Sequence, residues 1–328
     1  MTTTTTQPLL KARHVKKYFS ISGIFDRTKK VVRAVDDCSL DIYAGQNVGI
    51  VGESGCGKTT LGRILSGLIK PTDGTITFMD LPISSMTQLS KEEQLTIRRN
   101  IQVVFQDPSS ALNPRKTIRK ILLKPFKIHK IPVTDAEILG LLETVGLTPP
   151  ESFLNRYIHE LSGGQRQRAL VARALSLRPK LIIADEPVSF VDVTVRVQIL
   201  ELMRNLQKLY NVNYVIISHD LPVVRFLAER VIVMYLGKLV EVGPITNVLE
   251  KPLHPYTRAL LASAPSVDPE QRDWIENPPL TGDVPSPIDP PSGCRFRTRC
   301  ALADADCAAR EPQLVESEPD HYVACFHI

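Results

Sequence analysis

The chain has 328 residues, of which 43% are hydrophobic and 23% are charged, and its formal net charge is +5. This composition is that of an ordinary globular protein, so it excludes disordered, collagen-like and coiled-coil classes and predicts one or two domains with proper cores. Four of the six cysteines and 13 of the 25 prolines lie in the last 85 residues. This uneven distribution predicts a C-terminal part that is built differently from the rest.

The sequence shows no sign of a membrane span or a secretion signal. No stretch approaches the roughly 18–20 apolar residues that cross a bilayer, and the N-terminal sequence MTTTTTQPLLKARHVKK has no apolar core. We therefore predict a cytosolic chain with a disordered tail at residues 1–7, in which any work at a membrane depends on a partner that spans it. The basic clusters are short, so we predict no binding to nucleic acid.

From residue 8 to about 245, short apolar runs alternate with helical patterns, which predicts an α/β domain. The predicted buried strands are 47–51, 181–184 and 214–217, and residues 230–242 are predicted to form a hairpin that turns near Gly237. The predicted helices are 61–69, 135–145, 164–175 and 195–209.

Two further regions depart from this alternation. Residues from about 86 to 156 are mostly helical in pattern, with turns at 107–108 and 113–114, which predicts a helical subdomain inserted at about 86–176. After Pro244, proline-rich segments interrupt any regular period, so we predict a domain boundary near 245–255.

The sequence GESGCGKT at positions 52–59 fits the pattern G-x-x-x-x-G-K-[ST] between a predicted strand and a predicted helix, the context that this motif requires. Glycines allow the backbone to curl until several N–H groups converge on phosphates at the positive end of the helix. Lys58 is predicted to reach the β- and γ-phosphates, and the Thr59 hydroxyl to ligate Mg²⁺. The predicted nucleotide contacts are Gly52, Glu53, Ser54, Gly55, Cys56, Gly57, Lys58, Thr59 and Thr60.

An acidic pair, Asp185 and Glu186, follows the predicted buried strand 181–184. A carboxylate there is costly unless it binds a cation, so we predict that Asp185 holds the Mg²⁺ through water. Glu186 is predicted to act as the general base on the attacking water. Such a pair is often only a helix cap or a loop anchor, and the phosphate-binding loop is what favours the catalytic interpretation.

Between these motifs stands an LSGGQ string, which resembles the signature of ABC ATPases; it consists of Leu161, Ser162, Gly163, Gly164 and Gln165. Ser162 is predicted to be the N-cap of the following helix, whose amides would form a second phosphate-binding surface. The resemblance covers residues 8–250. It implies a P-loop ABC ATPase domain of the α/β class with an inserted helical subdomain, followed by a Pro/Cys-rich extension at 251–328.

The resemblance also assigns roles to single residues. It makes Gln106 the Q-loop glutamine and a ligand of Mg²⁺, Asp192 the D-loop aspartate, His219 the sensor of the γ-phosphate and Tyr18 a candidate to stack on adenine. It implies that the signature faces the γ-phosphate bound to an opposite subunit, so that two ATP are buried in a dimer and an isolated subunit hydrolyses ATP poorly. The D-loop carries Phe190-Val191 where the family usually has Ala-Leu, which predicts altered packing at the dimer seam.

Three segments resemble the oligopeptide/dipeptide import branch; they are FQDP and LNPR within 105–115, HPYT at 254–257, and 286–294. The whole chain resembles the second ATPase subunit of such importers, at the cytoplasmic face of the plasma (inner) membrane. The implied partners are a second ABC ATPase subunit in a heterodimer or homodimer, two integral-membrane permease subunits, and indirectly an extracytoplasmic substrate-binding protein. Residues 106–115 are the candidates for contact with the permeases.

Other functions stay open at this point. Within transport, import of nickel, glutathione or opines is compatible with the sequence, because substrates are chosen by other subunits. From another class, a soluble ABC protein acting on nucleic acid, the ribosome or a phosphonate-cleavage complex is the alternative. Such nucleic-acid and ribosome proteins usually carry two ATPase units or long coiled-coil insertions, and the phosphonate-cleavage proteins lack a long tail.

Four cysteines, Cys294, Cys300, Cys307 and Cys325, have the spacing C-x5-C-x6-C-x17-C. Disulfides do not persist in the cytosol, and four thiols suit tetrahedral zinc or an iron–sulfur cluster. The close C-x2–4-C pairs of structural zinc are missing, and three arginines between 295 and 299 would offset the charge of a cluster. Relatives in the peptide-import branch carry a [4Fe-4S] cluster on cysteines spaced like these. We therefore rank [4Fe-4S] first, Zn²⁺ second and free thiols third.

Overall fold

The structure, a computed structural model, describes residues 7–21, 30–189, 191–263 and 282–328. Its strands are β1 (Leu10–Ile21), β2 (Lys30–Ile42), β3 (Val48–Val51), β4 (Asp73–Phe78), β5 (Leu81–Pro82), β6 (Ile101–Val104), β7 (Leu181–Asp185), β8 (Asn213–Ile217), β9 (Arg230–Tyr235), β10 (Lys238–Pro244), β11 (Val315–Glu318) and β12 (His321–Val323). Its helices are α1 (Lys58–Leu65), α2 (Lys91–Asn100), α3 (Pro108–Ala111), α4 (Ile118–Ile128), α5 (Asp135–Thr144), α6 (Glu151–Leu154), α7 (Gly163–Leu175), α8 (Val193–Tyr210), α9 (Leu221–Leu227), α10 (Ile245–Glu250), α11 (Pro255–Ala262) and α12 (Ala305–Ala309).

The predicted strands, the hairpin and the four predicted helices are confirmed, with shifts at their ends. The largest shifts are in α1, which begins at Lys58, within the phosphate-binding motif, rather than at Leu61, and ends at Leu65 rather than at Ile69. Of the predicted disordered tail, only Gln7 belongs to the described residues, and Phe190 of the D-loop lies outside them. Among the helices that the structure describes, none has the length and apolar character required to cross a bilayer.

The chain divides into two compact units, the first made of Met1–Ser84 and Ser218–Ile328 and the second of Ser85–Ile217. The first unit contains an antiparallel sheet with the strand order β2-β1-β4-β5. It also contains the strands β11-β12-β10-β9-β3 in that order, of which β3 and β9 are parallel. All four residues of β3 are buried, as is typical of a central parallel strand.

The second unit contains three neighbouring parallel strands, β6, β7 and β8. Strand β6 lies in the stretch whose pattern is mostly helical, and the sequence did not predict it. Periodicity alone does not distinguish a buried four-residue strand from a buried helical segment. Its consequence is functional, because β6 ends two residues before Gln106 and β7 ends at Asp185. The carboxyl ends of neighbouring parallel strands share one edge of a sheet, where ligands bind in α/β folds.

The C-terminal region is joined to the first unit by strand pairing that the sequence analysis did not predict. Strand β12 pairs with β10, with Val242 opposite Tyr322, and β11 pairs with β12. These two strands have only four and three residues, which is too short for a recognisable alternation of hydrophobic and polar residues, so the sequence indicates only a proline-rich region. The edge of β10 therefore decides where this region folds.

Candidate functional site

The phosphate-binding loop connects β3 to α1 and is packed tightly from below. Gly52 has φ +149°, and a Cβ there would lie 2.2 Å from the Met234 carbonyl oxygen. Gly57 has φ +108°, and a Cβ would lie 2.0 Å from the Ala34 carbonyl oxygen. Both positions therefore require glycine. At Gly55, by contrast, a Cβ would meet no described atom within 4 Å, so the top of the loop is open.

Lys58 and Cys56 lie inside this loop. The Lys58 ammonium donates hydrogen bonds to the carbonyl oxygens of Gly52 (2.7 Å) and Glu53 (2.8 Å), and the residue is 6% exposed. Burial raises the pKa of the Cys56 thiol, so it is protonated and neutral at pH 7. Helix α1 has Gly57 at its N-cap and no side-chain cap, and Thr59 and Thr60 lie half-buried in its first turn. The loop has the local structure of an anion site at a helix N-terminus.

The predicted catalytic carboxylate lies beside the predicted Q-loop glutamine in the second unit. The Gln106 amide nitrogen donates to Glu186 Oε2 at 3.0 Å, and the Ser189 hydroxyl donates to the same oxygen at 2.7 Å. Glu186 has φ +47°, a left-handed conformation that non-glycine residues adopt uncommonly. Asp185 is 6% exposed at the end of β7. Ser189 was missed by sequence reasoning, although it lies within the D-loop segment.

The signature begins helix α7 as predicted. Ser162 is its N-cap: its hydroxyl accepts from the Gln165 amide, and the Gln165 side chain accepts from the Ser162 amide. Leu161 is buried, whereas Ser162 and Gly163 are exposed. A Cβ on Gly164 would lie 2.6 Å from Val195 Cγ1, so the second glycine is what permits α8 to approach α7.

Asp192 and the segment after Gln106 are both tied to their neighbours. The Asp192 carboxylate accepts from the Val195 amide at 2.9 Å and begins α8. Helix α3, which follows Gln106, is held against α7 by two arginines. Arg173 donates to the Ala111 carbonyl oxygen at 2.8 Å, and Arg166 donates to the Ser109 hydroxyl at 3.4 Å. The predicted permease-contact segment is thus fixed to the signature helix.

His219 and Tyr18 belong to the first unit. His219 is exposed directly after β8, next to Ser218, whose amide donates to the Ile50 carbonyl oxygen at 3.1 Å. The Tyr18 hydroxyl donates to Asp36, and burial together with this bond raises the pKa of Tyr18 to about 12. Arg295 of the C-terminal region also donates to Asp36. The stacking of the Tyr18 ring on adenine stays a prediction.

The four predicted cysteines of the C-terminal region come together and line one cavity. Burial, with the nearby Cys300, Cys307 and Cys325, raises the pKa of Cys294 to about 11, so its thiol is protonated at neutral pH without a metal. A backbone hydrogen bond joins two of the cysteine segments, because the Cys294 amide donates to the Cys307 carbonyl oxygen at 2.8 Å. Among the described residues, however, no three of the four thiol sulfurs lie within 4.8 Å of one another, so a four-cysteine metal centre stays a prediction.

Two possible metal ligands near Cys307 were missed by sequence reasoning, and of these His327 lines the cavity. His327 Nε2 lies 3.6 Å from Cys307 Sγ and 3.4 Å from Asp304 Oδ2, and the ligand atoms of the three residues lie within 4.8 Å of one another. The signal was available, because His327 is two residues after Cys325 and Asp304 three residues before Cys307. The group of possible ligand atoms that the structure brings together therefore contains one of the four predicted cysteines, with a histidine and an aspartate.

Two family models match the chain. The model described as ABC transporter matches residues 35–189, which contain the P-loop, the signature and the acidic pair. The model described as Oligopeptide/dipeptide transporter, C-terminal region, matches residues 240–307, which contain the first three cysteines of the cavity.

Relatives match along the whole chain. The sequence is 48% identical over 331 residues to the oligopeptide transport ATP-binding protein AppF of Bacillus subtilis (strain 168), covering 99% of each chain. It is 42% identical over 329 residues to the oligopeptide transport ATP-binding protein OppF of Haemophilus influenzae, covering 98% of this chain and 97% of the relative.

Solved structures support the same fold. The dimeric post-hydrolysis structure of the ATP-binding cassette MJ0796, bound to ADP and Pi, has a TM-score of 0.63 and 29% identity, covering 72% of this chain and 98% of that one. Part of the ABC transporter complex cbiONQ, cbiO1 from Clostridium perfringens, has a TM-score of 0.60 and 26% identity, covering 74% and 91%. The chain therefore belongs to the ABC transporter family, as an ABC ATPase that carries the oligopeptide/dipeptide transporter C-terminal region.

Proposed function

We propose that this protein powers the import of di- and oligopeptides through a membrane-embedded ABC permease, as a peripheral subunit on the cytoplasmic face of the plasma (inner) membrane. The observation that carries the proposal is the full-length similarity to relatives named oligopeptide transport ATP-binding proteins, which continues through the C-terminal region. The partners in this proposal are a second ABC ATPase subunit and two integral-membrane permease subunits, with an extracytoplasmic substrate-binding protein acting through the permease.

The test is uptake by proteoliposomes that contain this protein with its permease and partner subunits. We expect peptide-loaded binding protein to stimulate ATP hydrolysis and labelled peptide to accumulate inside. Nickel, glutathione and an opine are the competing substrates to test in parallel. Import of one of these without import of peptide would overturn the substrate assignment, and co-purification with nucleic acid or ribosomes instead of permeases would overturn the transport assignment.

In the proposed hydrolysis of ATP, each of these residues has a separate role. The P-loop amides and Lys58 bind the phosphates of ATP. Thr59, Asp185 and Gln106 offer the hydroxyl, carboxylate and amide oxygens that Mg²⁺ prefers, and the ion would offset charge on the β- and γ-phosphates. Glu186 takes the proton of the attacking water, and the bonds from Gln106 and Ser189 support this role because they orient its carboxylate.

Dimer closure completes the proposed site. The signature of each ATPase subunit faces the γ-phosphate bound by the other, and Asp192 and His219 act at the same seam. The capped N-terminus of α7, with exposed Ser162 and Gly163, supports an anion-binding role for the signature. Light scattering of the Glu186→Gln variant with ATP is the test. We expect a dimer, either of this chain or with a second ATPase chain, and a monomer in both mixtures would contradict closure.

The segment 106–115 is the proposed contact with the permeases. Asp107 caps α3 by accepting from the amides of Ser109 and Ser110, and Arg166 and Arg173 fix α3 to the signature helix. A displacement of α3 would therefore be transmitted to the signature helix through these hydrogen bonds. Site-specific crosslinking from residue 113, which is exposed, should capture a permease subunit. Crosslinks only to soluble proteins would contradict this assignment.

The cysteine cavity is proposed to hold a metal centre, with a [4Fe-4S] cluster ranked before Zn²⁺. The ranking of the cluster rests on the cysteine spacing and on the four cysteines that line one cavity, whereas the proximity of His327 and Asp304 to Cys307 favours a mixed zinc site. Either group would supply structural stabilisation to a region that has little core of its own. Iron, zinc and sulfide analysis of anaerobically purified protein distinguishes them. If the cavity holds a cluster, Cys300→Ser should abolish it, whereas His327→Ala should retain iron. Zinc in the wild type that is lost in His327→Ala would reverse the ranking. A wild-type protein without metal would overturn both the cluster and the zinc site.

A further inference from the structure

Among the described residues, the C-terminal region contacts the acidic residue Glu53 of the P-loop. The Arg299 guanidinium donates to both oxygens of the Glu53 carboxylate, at 2.7 Å and 3.0 Å. The Arg299 side chain is 4% exposed and that of Glu53 is 20% exposed. A bidentate, largely buried arginine–carboxylate pair is among the strong hydrogen-bonded contacts of proteins and fixes geometry as well as distance.

The backbone of Glu53 is held as well. Its amide donates to the Tyr256 hydroxyl at 2.8 Å, and its carbonyl oxygen accepts from the Lys58 ammonium at 2.8 Å. The Tyr256 ring is buried against Tyr235, with 4.7 Å between ring centroids, and against Phe296 of the C-terminal region, with 5.4 Å. Side chain, amide and carbonyl of Glu53 therefore each have a partner, and two of the three depend on the region after residue 250.

The contact with Glu53 distinguishes Arg299 from another arginine of the same segment. Its neighbour in the same segment, Arg297, donates instead to Ser292 within the C-terminal region. Of these two arginines, Arg299 is the one with a hydrogen bond to the P-loop among the bonds described, so Arg297 is a matched control.

A P-loop binds phosphate through backbone amides that must already point inward, so a contact that fixes the loop lowers the cost of binding. We propose that Arg299 is a positioning residue for ATP, which holds the P-loop in its binding conformation through Glu53 and makes the C-terminal region part of the nucleotide site. The inference rests on the proposed role of the P-loop in binding ATP. Arg299 immediately precedes Cys300, one of the four cysteines that line the cavity.

The test is a titration of the full-length protein with a fluorescent ATP analogue and Mg²⁺. Arg299→Ala removes one partner of a largely buried charged pair, so we expect it to raise the Kd for the ATP analogue about tenfold. Arg299→Lys should recover part of the loss, and Arg297→Ala should bind as the wild type does. In the assembled transporter, the same change should raise KM for ATP and leave kcat within about twofold, because the residue acts on binding.

A double-mutant cycle identifies the contact responsible. Glu53→Gln should weaken binding to a similar extent, and adding it to Arg299→Ala should cost nothing further, because the pair is already lost. Unchanged affinity in a folded Arg299→Ala protein, or additive losses in the double variant, would overturn the inference. Where Arg299→Ala does not fold, Glu53→Gln, which keeps the size of the side chain, carries the test alone.

Two controls separate this inference from its premises. Lys58→Ala tests the P-loop as the nucleotide site: if it binds as tightly as the wild type, the proposed function fails, and with it the premise. If Lys58→Ala loses binding while Arg299→Ala does not, only the positioning role fails. Metal content is measured in every variant, and an affinity loss that appears only in metal-depleted Arg299→Ala protein would also overturn the direct role.

Discussion

Replacing Glu241 with glutamine is expected to loosen the C-terminal region from strand β10. Glu241 and His321 are both fully buried, and His321 Nε2 donates to Glu241 Oε1 at 2.8 Å. The same oxygen accepts from the Leu253 amide at 2.8 Å, and Oε2 accepts from the His254 amide at 3.0 Å. One carboxylate thus satisfies three donors that all lie beyond residue 250.

The magnitude follows from the donors that glutamine does not satisfy. A glutamine has one oxygen in place of two, and its amide group would face an N–H, so at least one buried donor loses its acceptor. An orphaned buried donor costs about 1–3 kcal/mol, and the loss of a charged acceptor adds to this. We expect a total of about 3 kcal/mol, which lowers the melting temperature by about 6–12 °C in a unit of this size.

Thermal unfolding followed by circular dichroism, without nucleotide, measures this effect, and limited proteolysis shows whether cleavage begins after residue 250. Glu316→Gln is the matched control, because the exposed Glu316 carboxylate accepts only from the Asp320 amide among the hydrogen bonds described. Its melting temperature should stay within about 2 °C of the wild type, as is usual at the surface. A Glu241→Gln protein that melts as the control does would refute the reasoning.

Three further substitutions test the roles of single residues in the first and the second unit. Glu186→Gln should bind ATP but turn it over at least about 100-fold more slowly, since the general base is lost; near-wild-type turnover, or an equal loss in the exposed Glu201→Gln control, would contradict the assignment. Lys58→Ala should raise the Kd for a fluorescent nucleotide by at least about tenfold, because a phosphate-binding charge is removed, and unchanged binding would argue against the P-loop. Gly164→Ala places a methyl group 2.6 Å from Val195 and should destabilise the protein by about 1–3 kcal/mol in denaturant unfolding. Val195→Ala in the same chain should recover much of that loss, and no recovery would show that the clash is elsewhere.

The candidate site was predictable where chemistry depends on residues close in sequence. The P-loop, the cap of α7 by Ser162 and the strand before Asp185 are local structures, and each has its reason within a few residues. Strand β6 was not predictable, because its four residues lack a period that distinguishes buried strand from buried helix. The bond from Gln106 to Glu186 joins positions 80 residues apart and depends on β6 lying next to β7.

By itself the sequence determined the family, the phosphate-binding loop, the signature and the four-cysteine spacing, because these are short patterns in which residue type and spacing carry the chemistry. Only the tertiary structure decided what those patterns touch. It joined β12 to β10, brought His327 and Asp304 close to Cys307, and placed Arg299 against Glu53, 246 residues away along the chain. The physical reason is that such contacts are chosen by strand edges, burial and charge pairing between distant segments, and none of these leaves a periodic trace in the sequence.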